Sequence, residues 1–276
     1  MPELPEVETV RRRIARLVTG KMITGVRVRR SDVVGYPTVS KFRSALRGRV
    51  IVQTGRRGKY LIFYLSDGRL LVIHLRLSGH LRVIAMTGVA RYERIRLELS
   101  NGTALVFVEP RALGRVYLLT SGEIGRVLKG LSRMGLEPID PGFDAEYLSR
   151  MLKQRRVMIK SVLLDQRVCA GVGNIYSDEA LFRAGILPNR PANSLSRDEV
   201  EGLVRALKTV IRDGIRWLGT TMSDGRYLLP DGSRGKFQEK LLVVNRAGQA
   251  CQVCQHQIAR IKIGNRSSYF CPKCQH

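Results

Sequence analysis

This sequence is short of acid for the base it carries. Its 276 residues carry 23 Asp and Glu against 48 Lys and Arg, a formal net charge of +25 at pH 7. The basic excess is spread along the chain and not gathered in a tail, which excludes an acidic surface and predicts a folded face that meets a polyanion. Nucleic acid is the first choice of partner and a membrane surface the second. Long apolar runs are also missing. No stretch reaches the roughly 18 residues of a bilayer-crossing helix, so no membrane span is expected. Cysteine is scarce outside one place: four of the five lie at or after Cys251. That distribution argues against a disulfide framework and for a metal site in a reducing compartment. Histidine offers little. His74 sits in an apolar run and is expected in packing, while His80, His256 and His276 form no HExxH or triad pattern. There is no internal repeat and no low-complexity segment. The opening Met1-Pro2-Glu3-Leu4-Pro5-Glu6 is acidic and proline-rich, the opposite of a secretory leader. The expected place of work is the cytoplasm, in association with the nucleoid.

What is present suits two domains and a short appendage. Val7, Val10, Ile14 and Leu17 fall on one face of a helix that Pro5 opens and Gly20 stops. From about residue 22 to 119 the period changes to two. Arg94 to Leu99 alternates, Asn101-Gly102 turns the chain, and Ala104 to Val108 returns; Lys59 to Leu65 and Leu70 to Leu75 form a similar pair through Asp67-Gly68. This half reads as an antiparallel β-sandwich with an N-terminal helix. Helical patterns cover about 145–153, 158–167, 175–184 and 196–218. The stretch from Gly219 to Gly235, rich in glycine and containing Pro230, is expected to be a mobile loop. Short strands are expected around the cysteines beyond about 237.

Cys251-x2-Cys254 and Cys271-x2-Cys274 have the spacing of a four-cysteine zinc site. Four thiolates leave no open position for a substrate, so one structural Zn2+ is expected and no metal chemistry. Between the knuckles, Ile261 to Ile263 and Ser268 to Phe270 read as a hairpin with Gly264-Asn265-Arg266 at its tip, shaped to reach phosphate. Cys169 stands alone and is expected to be buried.

Ala170-Gly171-Val172-Gly173-Asn174 lies between two helical patterns. A helix opening near Asn174 would present free amides to a phosphate, although a tight helix connection explains the glycines equally well. At the other end, loss of Met1 would leave Pro2 as a terminal secondary amine. An α-amino group has a pKa of about 7.7–8.0, so part of it is a neutral nucleophile at physiological pH. Glu3 stands beside it, and Lys59 follows Arg56-Arg57-Gly58. On residue chemistry alone, prolines that shape a leader and a Glu3 that meets a helix dipole explain the same letters.

The segment Pro2 to Thr9 resembles the N-terminal signature of the formamidopyrimidine-DNA glycosylases. Arg57-Gly58-Lys59-Tyr60-Leu61, Gly135-Leu136-Glu137-Pro138, Gly171 to Tyr176, Glu179 to Ile186 and Phe270 to Gln275 are similar too, in the family's order and from end to end. The resemblance implies an α+β fold: an N-terminal antiparallel β-sandwich with a helix (1–130), a helical helix-two-turn-helix DNA-binding domain (131–236) and a four-cysteine zinc β-hairpin (237–276). It implies base-excision repair of oxidised purines, 8-oxoguanine and formamidopyrimidines, in double-stranded DNA, with cleavage of abasic sites by β,δ-elimination. A monomer is the default. DNA would lie bent in a basic cleft with the damaged nucleotide flipped out, and its binding would weaken steeply with salt. Two alternatives remain: an endonuclease VIII-like enzyme for oxidised pyrimidines, which Leu4 argues against, and a damaged-DNA-binding relative without turnover.

By resemblance, Pro2 is the Schiff-base nucleophile, Glu3 the general acid–base, and Lys59 an aid to β-elimination. Arg266 would hold a flanking phosphate and help δ-elimination; Asn174 and Arg155 would contact backbone phosphate. Thr220 to Phe237 resembles the loop over the extruded base. Leu77, Arg111 and Leu113 stand where the family has a Met, an Arg and a Phe that fill the vacated space. Tyr92 and Arg94 replace a His-x-His pair, and Val244-Asn245 a Tyr-Gly. The expectation is altered damage search and opposite-base preference with the chemistry retained.

Overall fold

The structure, a computed structural model, describes residues 2–223, 225 and 227–276. By contacts the chain divides into two compact units: Met1–Ser132 with Trp217–Gln238, and Arg133–Arg216 with Glu239–His276. The segment 217–238 therefore packs within the first unit, although it follows the helices of the second in sequence.

The first unit opens with α1 (Leu4–Val18). Its apolar stripe, Val7, Val10, Ile14 and Val18, is fully buried in the sandwich core. Leu17, placed on that stripe by the sequence pattern, is 44% exposed; Val18, one i+4 step after Ile14, takes the inward position. Then come β1 (Ile23–Val28), β2 (Val34–Tyr36), α2 (Val39–Leu46), β3 (Ile51–Arg57), β4 (Tyr60–Leu65), β5 (Leu70–His74), β6 (His80–Ala85), β7 (Glu93–Leu99), β8 (Thr103–Val108) and β9 (Arg115–Leu119). They form two sheets, ordered β1-β7-β8-β6 and β2-β9-β5-β4-β3. Every pairing is antiparallel except β2 with β9 at one edge. Both expected hairpins form, through Gly68 (φ +80°) and Gly102 (φ +77°). Leu61, Phe63, Leu71, Ile73, Ile95, Leu97, Leu105 and Phe107 face inward with α1 on the shared core. Two short helices, α3 (Ile124–Val127) and α4 (Lys129–Ser132), close this stretch.

The second unit holds α5 (Ala145–Leu152), α6 (Ile159–Leu164), α7 (Asn174–Arg183) and α8 (Arg197–Arg216), then the hairpin β10 (Ala259–Ile263) and β11 (Arg266–Phe270). The helices fall where the periodicity puts them, with ends that differ by up to three residues: α5, α6 and α8 are shorter than expected, and α7 is shifted one residue towards the N-terminus. Asp144 caps α5 by accepting the Tyr147 N–H at 2.8 Å. Between α6 and α7, Gln166 takes the place of a longer loop: its Oε1 accepts the Gly171 N–H at 2.9 Å and its Nε2 donates to the Val172 carbonyl at 2.9 Å. Beyond 237 the chain is mostly turns, with a 3-10 turn at Phe237–Lys240, and the hairpin supplies the only regular strands there among the described residues. The expected hairpin tip is narrower than its three-residue reading. Gly264 (φ +56°) and Asn265 make the turn, and Arg266 opens β11 opposite Ile263. Among the described residues no helix is long and apolar enough to cross a membrane.

Candidate active site

Pro2 and Glu3 are buried at the start of α1. The Glu3 N–H donates to Glu6 Oε2 at 2.8 Å and its carboxylate accepts the Glu6 N–H, a reciprocal cap that fixes the leader on the helix. The second oxygen of Glu6 reaches across the sequence, where Oε1 accepts the Thr220 N–H at 2.7 Å. Glu6 is 1% exposed, so both bonds form away from water. Gly219 (φ +78°) permits this approach, since a Cβ there would sit 2.9 Å from the Glu6 side chain.

The segment expected as a loop after Gly219 is anchored at several points. Tyr227 and Leu229 insert into the sandwich core. The Tyr227 hydroxyl donates to the Leu218 carbonyl at 3.0 Å, and Thr221 Oγ1 donates to the Tyr227 carbonyl and accepts the Gly235 N–H, both at 2.9 Å. Arg13 of α1 pairs with Asp231. Its glycines and proline shape a packed strap, because hydrogen bonds within the segment satisfy the backbone that composition alone assigns to solvent. Asp224 and Arg226 of this strap, and Met1, lie outside the described residues.

Lys59, 6% exposed, follows Gly58 (φ +54°) in the β3–β4 turn. Arg56 docks that turn on α1: Nε donates to Glu8 Oε2 at 3.2 Å and an Nη to the Gly58 carbonyl at 3.0 Å. Burial pushes the Glu8 carboxyl up, but hydrogen bonds from Arg11 and Arg12 and the charges of Arg11 and Arg56 outweigh it and hold the pKa at about 2. The turn carrying Lys59 is thus tied by an ionised carboxylate to the helix that Pro2 and Glu3 lead into. His74 stacks edge-on against Tyr60 at 4.5 Å. Burial, with the charges of Arg76 and Lys59, lowers its pKa to about 3. It is a neutral packing residue whose Nδ1 accepts the Arg76 N–H at 3.0 Å, as its apolar surroundings in the sequence imply.

Leu77 and the pair Arg111 and Leu113 lie on two loops, β5–β6 and β8–β9. Leu77 is half-buried; Arg111 and Leu113 are exposed. Arg94 clasps the second loop, its Nε donating to the Glu109 carbonyl at 2.7 Å and an Nη to the Pro110 carbonyl at 3.1 Å. The exposed Tyr92 ring packs against the guanidinium groups of Arg91 and Arg94, 4.7 and 5.7 Å from its centroid.

In the second unit, α7 begins at Asn174 behind the N-cap Gly173. Asn174 Nδ2 donates to the Ser267 carbonyl at 3.0 Å, joining this helix start to the strand that Arg266 opens. The buried Lys160 Nζ donates to the same carbonyl at 3.1 Å and to Asp178 Oδ1 at 2.6 Å, and Asp178 accepts the Ser268 hydroxyl and the Tyr269 N–H. Arg155 is half-buried and pairs with Asp165 at 3.1 Å. Arg167, whose hydrogen bonds contribute most, and Arg155 lower the Asp165 pKa to about 2. The four hairpin cysteines converge, with every pair of Sγ atoms within 4.8 Å. Cys251 to Cys274 is 3.8 Å and Cys254 to Cys271 3.4 Å. A tetrahedron with Zn–S bonds of about 2.3 Å has edges of about 3.8 Å, so this set fits a zinc ion. Cys169 is fully buried, and burial raises its pKa.

Several residues that hold these groups escape a sequence reading. Asp178 and Glu179 lie fully buried within α7, and Glu109 is buried at a strand end. A charge in a helix pattern reads as a solvated face, and only the partners reveal otherwise. The one signal for Glu109 is its place between the apolar run 104–108 and Pro110.

A sandwich with an N-terminal helix, joined to this helical unit and hairpin, is the architecture of helix-two-turn-helix DNA glycosylases. Residues 1–116 match the formamidopyrimidine-DNA glycosylase N-terminal domain, 134–225 its H2TH domain, and 248–276 the zinc finger found in FPG and IleRS. The formamidopyrimidine-DNA glycosylase of Pelotomaculum thermopropionicum is 43% identical over 276 residues, covering 100% of this chain and 99% of its own. The MutM (Fpg) protein of Thermus thermophilus superposes with a TM-score of 0.90 at 39% identity, covering 99% of this chain and 98% of that one. A Lactococcus lactis Fpg mutant in complex with Fapy-dG-containing DNA gives 0.92 at 31% identity, with both chains covered fully. The chain belongs to the formamidopyrimidine-DNA glycosylase family.

Proposed function

We propose that this bifunctional DNA glycosylase and abasic-site lyase removes oxidised purines through the Pro2 amine. The observation that carries the reading is the seating of the terminal residue: Pro2 is buried on a capped helix, beside Glu3, with Glu6 joining that leader to the strap at Thr220. Structures of Lactococcus lactis relatives are complexes with Fapy-dG-containing DNA and with abasic-site-containing DNA. The net charge of +25 supplies sequence-independent attraction to such a duplex.

The Pro2 nitrogen lone pair attacks C1′ of the flipped-out nucleotide. The C1′–N9 bond breaks, and its electron pair leaves with the base, which takes up a proton. Glu3 protonates the opening sugar ring, and loss of the amine proton gives the C1′ iminium. Removal of a C2′ proton then expels the 3′-phosphate, and removal of a C4′ proton expels the 5′-phosphate. Water hydrolyses the remaining Schiff base and frees Pro2. Lys59 stabilises phosphate and assists the first elimination; Arg266 holds a flanking phosphate for the second. Asn174 and Arg155 contact the backbone, and Leu77, Arg111 and Leu113 occupy the space left in the duplex. Cys251, Cys254, Cys271 and Cys274 would hold one zinc ion that cross-links the two knuckles, and four thiolates would leave no position open for substrate.

The test is borohydride trapping on a duplex with one 8-oxoguanine opposite cytosine, with the mature N-terminus verified by mass. A covalent adduct that disappears in Pro2→Gly, and whenever Met1 is retained, is the expected result. No adduct with this duplex or with an abasic site, despite salt-sensitive binding, would overturn it. Activity on thymine glycol in preference to 8-oxoguanine would place the enzyme with oxidised pyrimidines instead.

A further inference from the structure

We infer that Glu109 is a positioning residue whose buried carboxylate latches the Leu77 loop to the Arg111–Leu113 loop, so that both meet DNA as one piece. The inference rests on the reading that these loops enter the duplex. Glu109 ends the apolar run of β8 and is 0% exposed. Its Oε1 accepts the Ser78 hydroxyl at 2.5 Å from the first loop and the Arg111 N–H at 3.1 Å from the second. Its Oε2 accepts the Gly114 N–H at 2.9 Å. Burying a carboxylate is costly unless hydrogen bonds replace its water, and here both loops supply them.

The glycines flanking the loops point to the same latch. A Cβ on Gly79 would lie 2.5 Å from the Leu75 carbonyl, 2.9 Å from the Phe107 ring and 3.2 Å from Glu109 Oε2. One on Gly114 would lie 2.5 Å from the same ring and 3.0 Å from the same oxygen. Both loops press bare backbone onto one carboxylate and one ring, which leaves no room for either to shift alone. Each also holds a non-glycine residue at positive φ, Arg76 (+56°) and Ala112 (+53°), a conformation that persists only where the surroundings enforce it. Arg94, gripping the carbonyls of Glu109 and Pro110, closes the latch from outside.

A carboxylate that only stabilised the fold would, when altered, lower the active fraction and scale all activities alike. A latch changes their ratio, because lesion excision needs both loops in register to open the stack, whereas an abasic nucleotide is already without its base. The experiment compares 8-oxoguanine excision with abasic-site cleavage on matched duplexes, in Glu109→Gln, Ser78→Ala and Arg111→Ala. Glu109→Gln and Ser78→Ala are each expected to lower the excision-to-cleavage ratio by about tenfold or more, the scale of one lost charged hydrogen bond. Ser78→Ala decides the matter if Glu109→Gln does not fold, since it removes only one tie. An unchanged ratio in Ser78→Ala, while Arg111→Ala lowers it, overturns the latch and leaves the loop reading standing. An unchanged ratio in Arg111→Ala as well overturns both.

Discussion

Replacing Glu6 by glutamine removes one acceptor from a buried carboxylate that serves two amides. The side chain keeps its size, but its new NH2 group faces a donor, either the Glu3 N–H or the Thr220 N–H. A lost hydrogen bond to a charged group, with a buried N–H left unpaired, costs about 2–3 kcal/mol. For a protein of this length that lowers Tm by roughly 4–12 °C. The kinetic effect follows from geometry. The Glu6 carboxylate is held to the Glu3 N–H on one side and to the strap at the Thr220 N–H on the other, so slackening either bond displaces Pro2 and its neighbour, and misplacement by about 1 Å costs up to about 100-fold in rate. Calorimetry and the single-turnover rate of borohydride trapping read the two effects on the same preparation. An unchanged Tm together with an unchanged trapping rate would refute the idea that Glu6 sets the leader in place.

Chelation of the metal, or Cys254→Ser, is expected to release one zinc per chain and to abolish salt-sensitive binding of lesion duplex before the helical circular-dichroism signal is lost; the metal content and a binding titration check this. His74 should contribute an acid-side stability slope. Its folded pKa of about 3 lies below the unfolded value of 6.5, so the unfolded chain takes up a proton that the folded one refuses. Stability is intact above about 6.5 and falls by about 1.4 kcal/mol per pH unit as pH drops towards 3, and His74→Asn should flatten that part of a Tm-against-pH curve. Leu113→Phe should tighten binding to lesion duplex by about fivefold or more, the scale of one base–aromatic stack, and shift the preference for the opposite base; equal affinities and preferences would count against the exposed loop entering DNA.

Much of the architecture is written in periodicity and punctuation. Period-two runs and Asn-Gly or Asp-Gly turns place the hairpins, and paired CxxC spacing places the metal cluster, because each is a local signal. The strap is the counterexample. Its glycines and Pro230 resemble those of a solvent loop, yet Tyr227 and Leu229 complete a core whose other buried members lie between Val7 and Leu118, more than a hundred residues earlier. Only long-range packing distinguishes the two. The site divides the same way. Pro2, Glu3 and Lys59 stand out by type and neighbourhood, whereas Glu6 and Glu109 matter through partners far along the chain or on a second loop, and no spacing rule announces them. Arg266 was legible as a basic residue near a turn; its place at the head of β11 depended on which two residues make that turn.

The path of the chain through its two units has a consequence for how the protein is made. The polypeptide builds the sandwich, leaves to form the helices, comes back for Trp217–Gln238, and departs again for the hairpin. A nascent chain emerging from the ribosome therefore cannot seal the first unit until Leu229 is out, by which time α5 to α8 have all been synthesised. A cut or premature stop after Arg216 would strand an unsealed sandwich, with Glu6 deprived of Thr220. Neither unit is one continuous stretch of the gene, so Pro2 at its start is inherited together with the distant strap that completes the same unit.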